Sequence, residues 1–416
     1  MTDRSASRRI VLFGLFGQGN LGNDATLVVT LQELRRRLGQ VEVLCVCSAL
    51  PPSAQTLDVQ QIPLDPLPPK GVWRIRNRQL RYAYCAVAYL VTEPWRRRRM
   101  LRHLQGTDEF IVVGTGVLDD FGMLPWDLPA WLLRWTHYSR NVGADVKFLS
   151  VGAGPIRNRL NRYLMLKAAR TADLRTYRDT VSRDFLADHG IDTEGDLIAP
   201  DVVFGISTEY LPGPGASTGD LTTVGVGVMG YYGWRNDQAL GESIYQEYVR
   251  KMALFVNWLI EQEYAVQLLI GELPADQRAV QDITSAVSRI RGAAPARLTA
   301  PAIGSLDDLL EAISHCGNIV ASRYHNVICA LRLGKPVIAL GYAAKFDALM
   351  QDVGLAPYCR SIETFDPEEL KTLFVRMKDS NVELVELVRQ NTEKYRLEVN
   401  AVFDLTLGTD SVGRRL

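Results

Sequence analysis

The chain has 416 residues, with 47 Lys and Arg against 47 Asp and Glu, and 47% of it is hydrophobic. That length exceeds one ordinary hydrophobic core and predicts two domains, while the balanced charge gives no footing for nucleic acid as a partner. The longest apolar-rich run, residues 82–91, is too short to span a bilayer, the polar and basic residues 1–9 do not read as a secretory signal, and six cysteines without a CxxC pair read as small core residues, so a cytoplasmic protein is expected.

In chain order, residues 10–16 predict a strand, followed by the glycine-rich turn Gly17-Gln18-Gly19-Asn20-Leu21-Gly22-Asn23-Asp24 and a helix over 25–38. Strands follow over 41–47, over 110–113 leading into Gly114-Thr115-Gly116, and over 146–151 leading into Gly152-Ala153-Gly154-Pro155. Helical patterns at 126–141 and 161–171 separate them, and strands alternating with amphipathic helices predict a parallel sheet. The stretch 211–219, dense in Pro, Gly and small polar residues, marks a linker. Beyond it the pattern restarts with strands at 224–229 and 265–270 and helices at 243–261 and 306–314. A buried strand then ends at Ser322 and turns through Arg323-Tyr324-His325-Asn326 into a short apolar helix stopped by Gly334 and Pro336. The predicted domains are residues 8–210, 220–360, and a helical tail over 361–416 that packs back on the first domain.

Several positions carry chemistry. Ligands of open α/β sheets bind outside the carboxyl ends of the strands, so Arg323 and His325 are placed at a ligand crevice, beside a helix start whose free N–H groups favour an anion. The loop of Gly19, Asn20 and Asp24 has no Lys-Ser/Thr and so is not a Walker loop; it reads as a tight βα turn with Asn20 and Asp24 capping the helix, or as a ligand cradle. Asp119 and Asp120 follow the Gly114/Gly116 loop, either solvated or holding sugar hydroxyls. No His/Cys/Asp cluster has metal spacing, so no metal is expected. Arg74, Arg76, Arg78, Arg81, Arg96, Arg97, Arg98, Arg99 and Arg102 are countered within their segment only by Glu93 and flank an aromatic and aliphatic run. Such a segment suits peripheral contact with a membrane surface or an anionic lipid-linked acceptor, or is an amphipathic helix with a solvated basic end.

Four motifs in this order resemble the polysaccharide pyruvyl transferase family: Gly19-Asn20-Leu21-Gly22-Asn23-Asp24-Ala25; Gly114-Thr115-Gly116 through Asp119-Asp120; Arg178-Asp179 with Ser182, Leu186 and Gly190, closed by Pro200-Asp201; and Arg323-Tyr324-His325 ahead of the Gly334-Lys335-Pro336-Val337 turn. Asn23 and Asp24 stand where Asp and Glu are usual, Thr115 interrupts a triple glycine, and Tyr324 replaces a usual leucine.

The resemblance implies two Rossmann-like domains in a GT-B-like arrangement with the active site in the interdomain cleft. It implies transfer of pyruvate from phosphoenolpyruvate to a sugar of a cell-surface polysaccharide or its precursor, with phosphate released and phosphoenolpyruvate as a substrate, not a cofactor. The acceptor is then a nucleotide-linked or lipid-linked saccharide, and the protein is expected in the cytoplasm or, through the Arg74–Arg102 segment, at the inner face of the membrane. Under it, Arg323 and His325 are the catalytic pair. Arg178, Arg323, Tyr324 and Asn326 bind the donor, arginine suiting carboxylate and phosphate through paired donors. Gly19, Asn20, Asp24, Gly114, Gly116, Asp119 and Asp120 face the acceptor. A GT-B glycosyltransferase using a nucleotide sugar, with Glu272 as the ribose acid, and a catalytically silent carbohydrate-binding relative are the other two readings.

Overall fold

A computed structural model describes residues 8–69, 71–119, 123–213, 220–233 and 238–408. They divide into two compact units. One takes the described residues up to 18, then 26–202 and those from 399 on; the other takes Gly19–Ala25 and Val203–Glu398. The division therefore falls at 202/203, ahead of the Pro/Gly-rich stretch, and again at 398/399 within the tail. Seven residues of the glycine-rich loop and helix start belong with the second unit.

The first unit is built from β1 (Arg8–Phe13), α1 (Leu21–Leu38), β2 (Val41–Cys47), α2 (Pro52–Gln55), β3 (Gln60–Pro63), α3 (Arg78–Leu104), β4 (Glu109–Val113), α4 (Leu128–Asn141), β5 (Asp145–Val151), α5 (Arg159–Ala169), β6 (Leu174–Tyr177), α6 (Thr180–Asp188) and β7 (Leu197–Ile198). Its seven strands are ordered β3-β2-β1-β4-β5-β6-β7 and pair in parallel. Every residue of β4 is buried, as helices covering both faces of a parallel sheet require. Phe13, Phe110, Phe148, Trp135 and Tyr177 fill the core, and Trp135 Nε1 donates to Leu64 O at 2.9 Å.

The second unit repeats the plan with β8 (Asp220–Gly227), α7 (Gln238–Glu261), β9 (Ala265–Leu269), α8 (Ala275–Arg291), β10 (Leu298–Thr299), α9 (Leu306–Ser314), β11 (Cys316–Ala321), α10 (Tyr324–Arg332), β12 (Val337–Gly341), α11 (Ala344–Asp352), β13 (Cys359–Ser361), α12 (Pro367–Asp379) and α13 (Asn381–Leu407). Its six strands are parallel in the order β10-β9-β8-β11-β12-β13. In each sheet the order reverses once, between β1 and β4 and between β8 and β11, and the carboxyl ends of strands at such a switch point are where open α/β sheets bind ligands.

The helical tail is made of two helices, α12 and α13, parted at Ser380. The end of α13 is fastened within the first unit: Arg8 Nη1 donates to Leu407 O at 3.0 Å, Lys147 Nζ donates to Thr406 O, and Arg37 pairs with Asp404 at 2.9 Å.

Helix α10 stops where its sequence dictates. Gly334 takes φ +71°, and Lys335 N reaches back to Ala330 O at 2.9 Å. The turn buries Lys335, whose ammonium donates to the carbonyls of Ser314 and Cys316. Burial pulls its pKa down to about 8, so between about pH 8 and the unfolded value near 10.4 the unfolded chain binds the extra proton and stability rises with pH. The difference in unfolding free energy between wild type and Lys335→Met should therefore move in favour of the wild type across that window in denaturant titrations. A difference that stays flat contradicts the buried charge.

Candidate active site

The carboxyl edge of the second sheet is organised by one carboxylate. Asp276, in the first turn of α8, is fully buried. Its Oδ2 accepts from Gly271 N and Glu272 N, both at 2.9 Å, and its Oδ1 accepts from Gly230 N at 3.1 Å. Both oxygens accept from Arg323 Nε, at 3.0 and 3.2 Å, and Oδ1 also accepts from Arg323 Nη2. The loops leaving β8, β9 and β11 thus converge on one residue. Tyr248 adds a tie between two of them, donating or accepting at Ser322 Oγ (3.1 Å) and accepting from Met229 N (3.3 Å), with burial pushing its phenol up to about 12.

Arg323 is the N-cap residue of α10 and its side chain is 13% exposed. Besides Asp276 it meets Glu272, whose Oε2 lies 2.6 Å from Nη1. Burial works against its charge, but Asp276 and then Glu272 outweigh it and hold the guanidinium pKa above the ordinary arginine value. Among the described residues its hydrogen bonds engage one N–H each on Nε, Nη1 and Nη2, three of the five N–H groups of a guanidinium.

His325 is half-buried and follows directly. Its ring stands edge-on to Tyr324, centres 5.6 Å apart. Its other wall comes from the opposite end of the chain. A methyl group on Gly22 would lie 1.7 Å from His325 Nδ1, so only glycine leaves room for the ring. The loop is held there by Leu21 N donating to Gly271 O (3.0 Å), Leu273 N donating to Gly19 O (2.7 Å) and an antiparallel bridge between Asn20 and Glu272. Asn20 caps α1, its Oδ1 accepting from Gly22 N (3.1 Å) and Asn23 N (3.2 Å), so the helix begins at Leu21 and not at 25. Asp24 follows in that first turn, where its charge suits the helix N-terminus. Gly19, Asn20 and Asp24, expected on the acceptor side of the first domain, thus stand with Arg323 and His325 in the second unit.

Tyr324 and Asn326 are not open to a ligand in this arrangement. Tyr324 is buried, its ring 5.3 Å from that of Phe346. The Asn326 amide sits against Gly227 and Gly271, where a methyl group would come within 3.0 and 2.8 Å of it. Both its polar atoms are closed off from solvent, with no hydrogen-bond partner among the described residues.

One cation was missed by sequence reasoning. Lys345, at the start of α11, holds its ammonium 4.7 Å from the Tyr324 ring centre, 5.1 Å from Tyr342 and 6.0 Å from Phe346. Aromatic faces stabilise a cation there. The available signal was its place just after strand β12, the neighbour of β11. The Tyr342 ring stacks in turn on that of Tyr231, 6.3 Å away, whose hydroxyl donates to Glu363.

The remaining expected residues form a separate cluster in the first unit. The loops after β4 and β5 interlock through Leu118 N to Gly152 O (3.2 Å), Gly152 N to Thr115 O (2.8 Å) and Gly154 N to Leu118 O (3.2 Å). Gly114 lies against Ser150 O, Asp119 N donates to Gly116 O at 3.1 Å, and the Asp119 carboxylate lies over Gly154. Arg178 lies over Gly152, its Nε donating to Asp179 at 3.3 Å with Asp201 at 4.0 Å. Asp120 falls outside the described residues. Among the described residues no three His, Cys, Asp or Glu side chains are placed to hold a metal ion.

Comparison with known proteins accords with this geometry. In solved structures the chain resembles a protein assigned as UDP-N-acetylglucosamine 2-epimerase from Listeria monocytogenes (TM-score 0.60, 13% identity, 97% of this chain and 98% of that one). It also resembles UDP-GlcNAc 2-epimerase from Neisseria meningitidis bound to UDP-GlcNAc (0.56, 11%, 96% and 99%) and a glycosyltransferase from Rickettsia africae (0.55, 12%, 97% and 96%). These likenesses define the class, two parallel-sheet Rossmann-like units of the GT-B type. No curated protein sequence matches the chain. The sequence profile described as "Polysaccharide pyruvyl transferase" matches residues 20–343, and the chain belongs to that family.

Two substitutions test this construction. Asp276→Asn leaves the Arg323 guanidinium buried without its main counter-charge, which should cost about 3–5 kcal/mol in denaturant unfolding; a loss under about 1 kcal/mol would show that the pair is not the organising contact. Gly22→Ala should favour α1 by up to about 1 kcal/mol of helix propensity yet displace the His325 ring. Making room for the methyl group costs about 1–3 kcal/mol, so the variant's signature is an unfolding midpoint unchanged or modestly lowered with a lowered turnover number, and unchanged turnover would rule out the wall.

Proposed function

We propose that the protein transfers pyruvate from phosphoenolpyruvate to a saccharide of a cell-surface polysaccharide or its precursor, closing a ketal across two hydroxyls. The observation that carries this reading is the meeting, in one unit of a family member, of the glycine-rich loop with the arginine and histidine at the end of β11.

The donor brings a carboxylate and a phosphate. Arg323 offers its two remaining N–H groups, Lys345 a second positive charge, and Arg178 is a further candidate cation. Arg323 and Lys345 together balance Asp276 and Glu272, so a bound anion would displace Glu272, the more exposed of the two carboxylates, from Nη1. A proton adds to the methylene carbon of the enolpyruvyl group and makes C2 electrophilic. One sugar hydroxyl attacks C2 and loses its proton. The second hydroxyl attacks as the C2–O bond to phosphate breaks. Of the two protons released, one matches the proton taken by the methylene carbon and the other leaves on phosphate. His325 is proposed to deliver the proton to the donor or to its leaving phosphate, since imidazole exchanges protons near neutrality. Gly19, Asn20 and Asp24, with Gly114, Gly116, Asp119 and Asp120 of the first-unit motif, are proposed to face the acceptor.

The nucleotide-sugar glycosyltransferase reading loses weight because Glu272, its ribose acid, is engaged by Arg323. The neighbour that holds UDP-GlcNAc nonetheless guides the choice of acceptors. The test incubates the protein with phosphoenolpyruvate and a panel of lipid-linked and nucleotide-linked saccharides. Phosphate release with pyruvate added to the acceptor is expected, and His325→Ala should lower the rate by about 10²- to 10⁴-fold. Full activity of that variant removes the histidine from the mechanism. Glycosyl transfer from a nucleotide sugar, or no turnover with any member of the panel, overturns the pyruvyl reading.

A further inference from the structure

Helix α3 turns an apolar face to solvent. Leu80, Val87, Leu90, Val91 and Trp95 are 58–78% exposed along 27 residues of helix, while Cys85, Tyr89, Arg96, Met100 and Leu104 are buried on the opposite side. Positions 80, 84, 87, 91, 95, 98 and 102 follow the three-and-four spacing of one helical face, so the outward stripe changes character along its length. Its first four turns are apolar and aromatic over about 22 Å, and its last two end in exposed Arg98 and Arg102.

The arginines of this segment do two different jobs. Arg96 is 1% exposed, and its guanidinium meets Asp65 at 3.0 Å, Leu67 O at 2.7 Å and the Tyr89 ring at 4.3 Å. Glu93, the only acid of the segment, is taken by Arg134 (3.1 Å) and the Tyr138 hydroxyl (2.8 Å) as well as by Arg96. Arg96 and Glu93 thus fasten the helix inward, and the segment is anchored partly by Asp65, which lies outside it. Arg98 and Arg102 line two open hollows of about 310 and 540 Å³, one shared with Trp95 and Arg99, the other with Arg97.

We propose that this outward face of α3 docks the protein on an anionic lipid bilayer surface. An apolar stripe of this length suits the boundary between headgroups and acyl chains, where Trp is at home, and arginines at one end of it suit lipid phosphates. A second copy of the chain fits less well, because a two-fold axis through the stripe would set basic ends near one another or leave them unmatched. No described helix is long and apolar enough to cross a membrane, so the contact is peripheral.

Co-sedimentation of the full-length protein with vesicles tests this. Vesicles containing phosphatidylglycerol should carry the protein down at low salt, vesicles of phosphatidylcholine alone far less, and high salt should weaken the binding. R98Q/R102Q should lower partitioning about 25-fold, roughly fivefold per arginine. L90S/V91S should lower it roughly tenfold, with an unchanged melting curve because both side chains are already exposed. Absence of binding to anionic vesicles at low salt overturns the proposal. So does partitioning that neither variant alters, or a dimer in light scattering that L90S/V91S dissolves.

Discussion

The ligand-facing edge of the second unit depends on a single buried ion pair. Asp276 lies beneath the carboxyl ends of β8, β9 and β11 and takes donors from the loop after each. Three backbone N–H groups and a guanidinium satisfy both of its oxygens and fix it in place, and it in turn fixes Arg323. The arrangement also limits what Arg323 can do. A guanidinium already facing Asp276 and Glu272 is not a loose positive charge; the two carboxylates hold it in one orientation. Lys345 supplies the balancing charge from a different strand exit, held by aromatic faces and not by a carboxylate.

His325 is positioned by a different principle, lack of volume. The second residue of α1 is glycine, a poor helix former, and the cost in propensity is tolerated because a side chain there would occupy the imidazole's space. Gly227 and Gly271 do the same for Asn326 and the Arg323 stem. Where local preference and tertiary need conflict, the residue chosen is the one that serves the site.

Much of this was legible in the amino-acid sequence. The alternation of apolar strands and amphipathic helices gives both sheets, and Gly334 with Pro336 marks the end of α10 within one residue. Arg323 and His325 were legible because strand exit, helix start and resemblance to the family coincide on them. The partners were not. Asp276 is 47 residues from Arg323 and reads locally as an ordinary acid in the first turn of a helix. Glu272 invited a role in ribose binding because its ion pair leaves no local trace. The glycine loop read correctly as a βα turn, but its packing on Gly271 and Leu273 is a contact across some 250 residues that no periodicity encodes. Strands β7, β10 and β13, two or three residues each, are too short to show an alternation. The basic segment was visible as a charge anomaly, yet only burial separates Arg96, an inward anchor, from Arg98 and Arg102.

The same long-range pairing constrains how the site can form. Strand β1 takes its place between β2 and β4, a set of contacts complete within the first hundred or so residues. Residues 19–25, from the turn after β1 into α1, group with the other unit. They pair with Gly271 and Leu273 and wall in His325, so they find their partners only once β9, α8 and β11 exist. Contacts of such sequence separation form late, because the entropy of closing the loop must be met before they contribute anything. Asp276 draws the exits of β8, β9 and β11 together, and Gly271, Leu273 and His325 at those exits make one surface for residues 19–25. The cap at Asn20 needs only a local turn to make the complementary one. The packing of residues 19–25 on His325 is thereby coupled to the integrity of the second unit, since nothing in those residues alone holds them against the histidine.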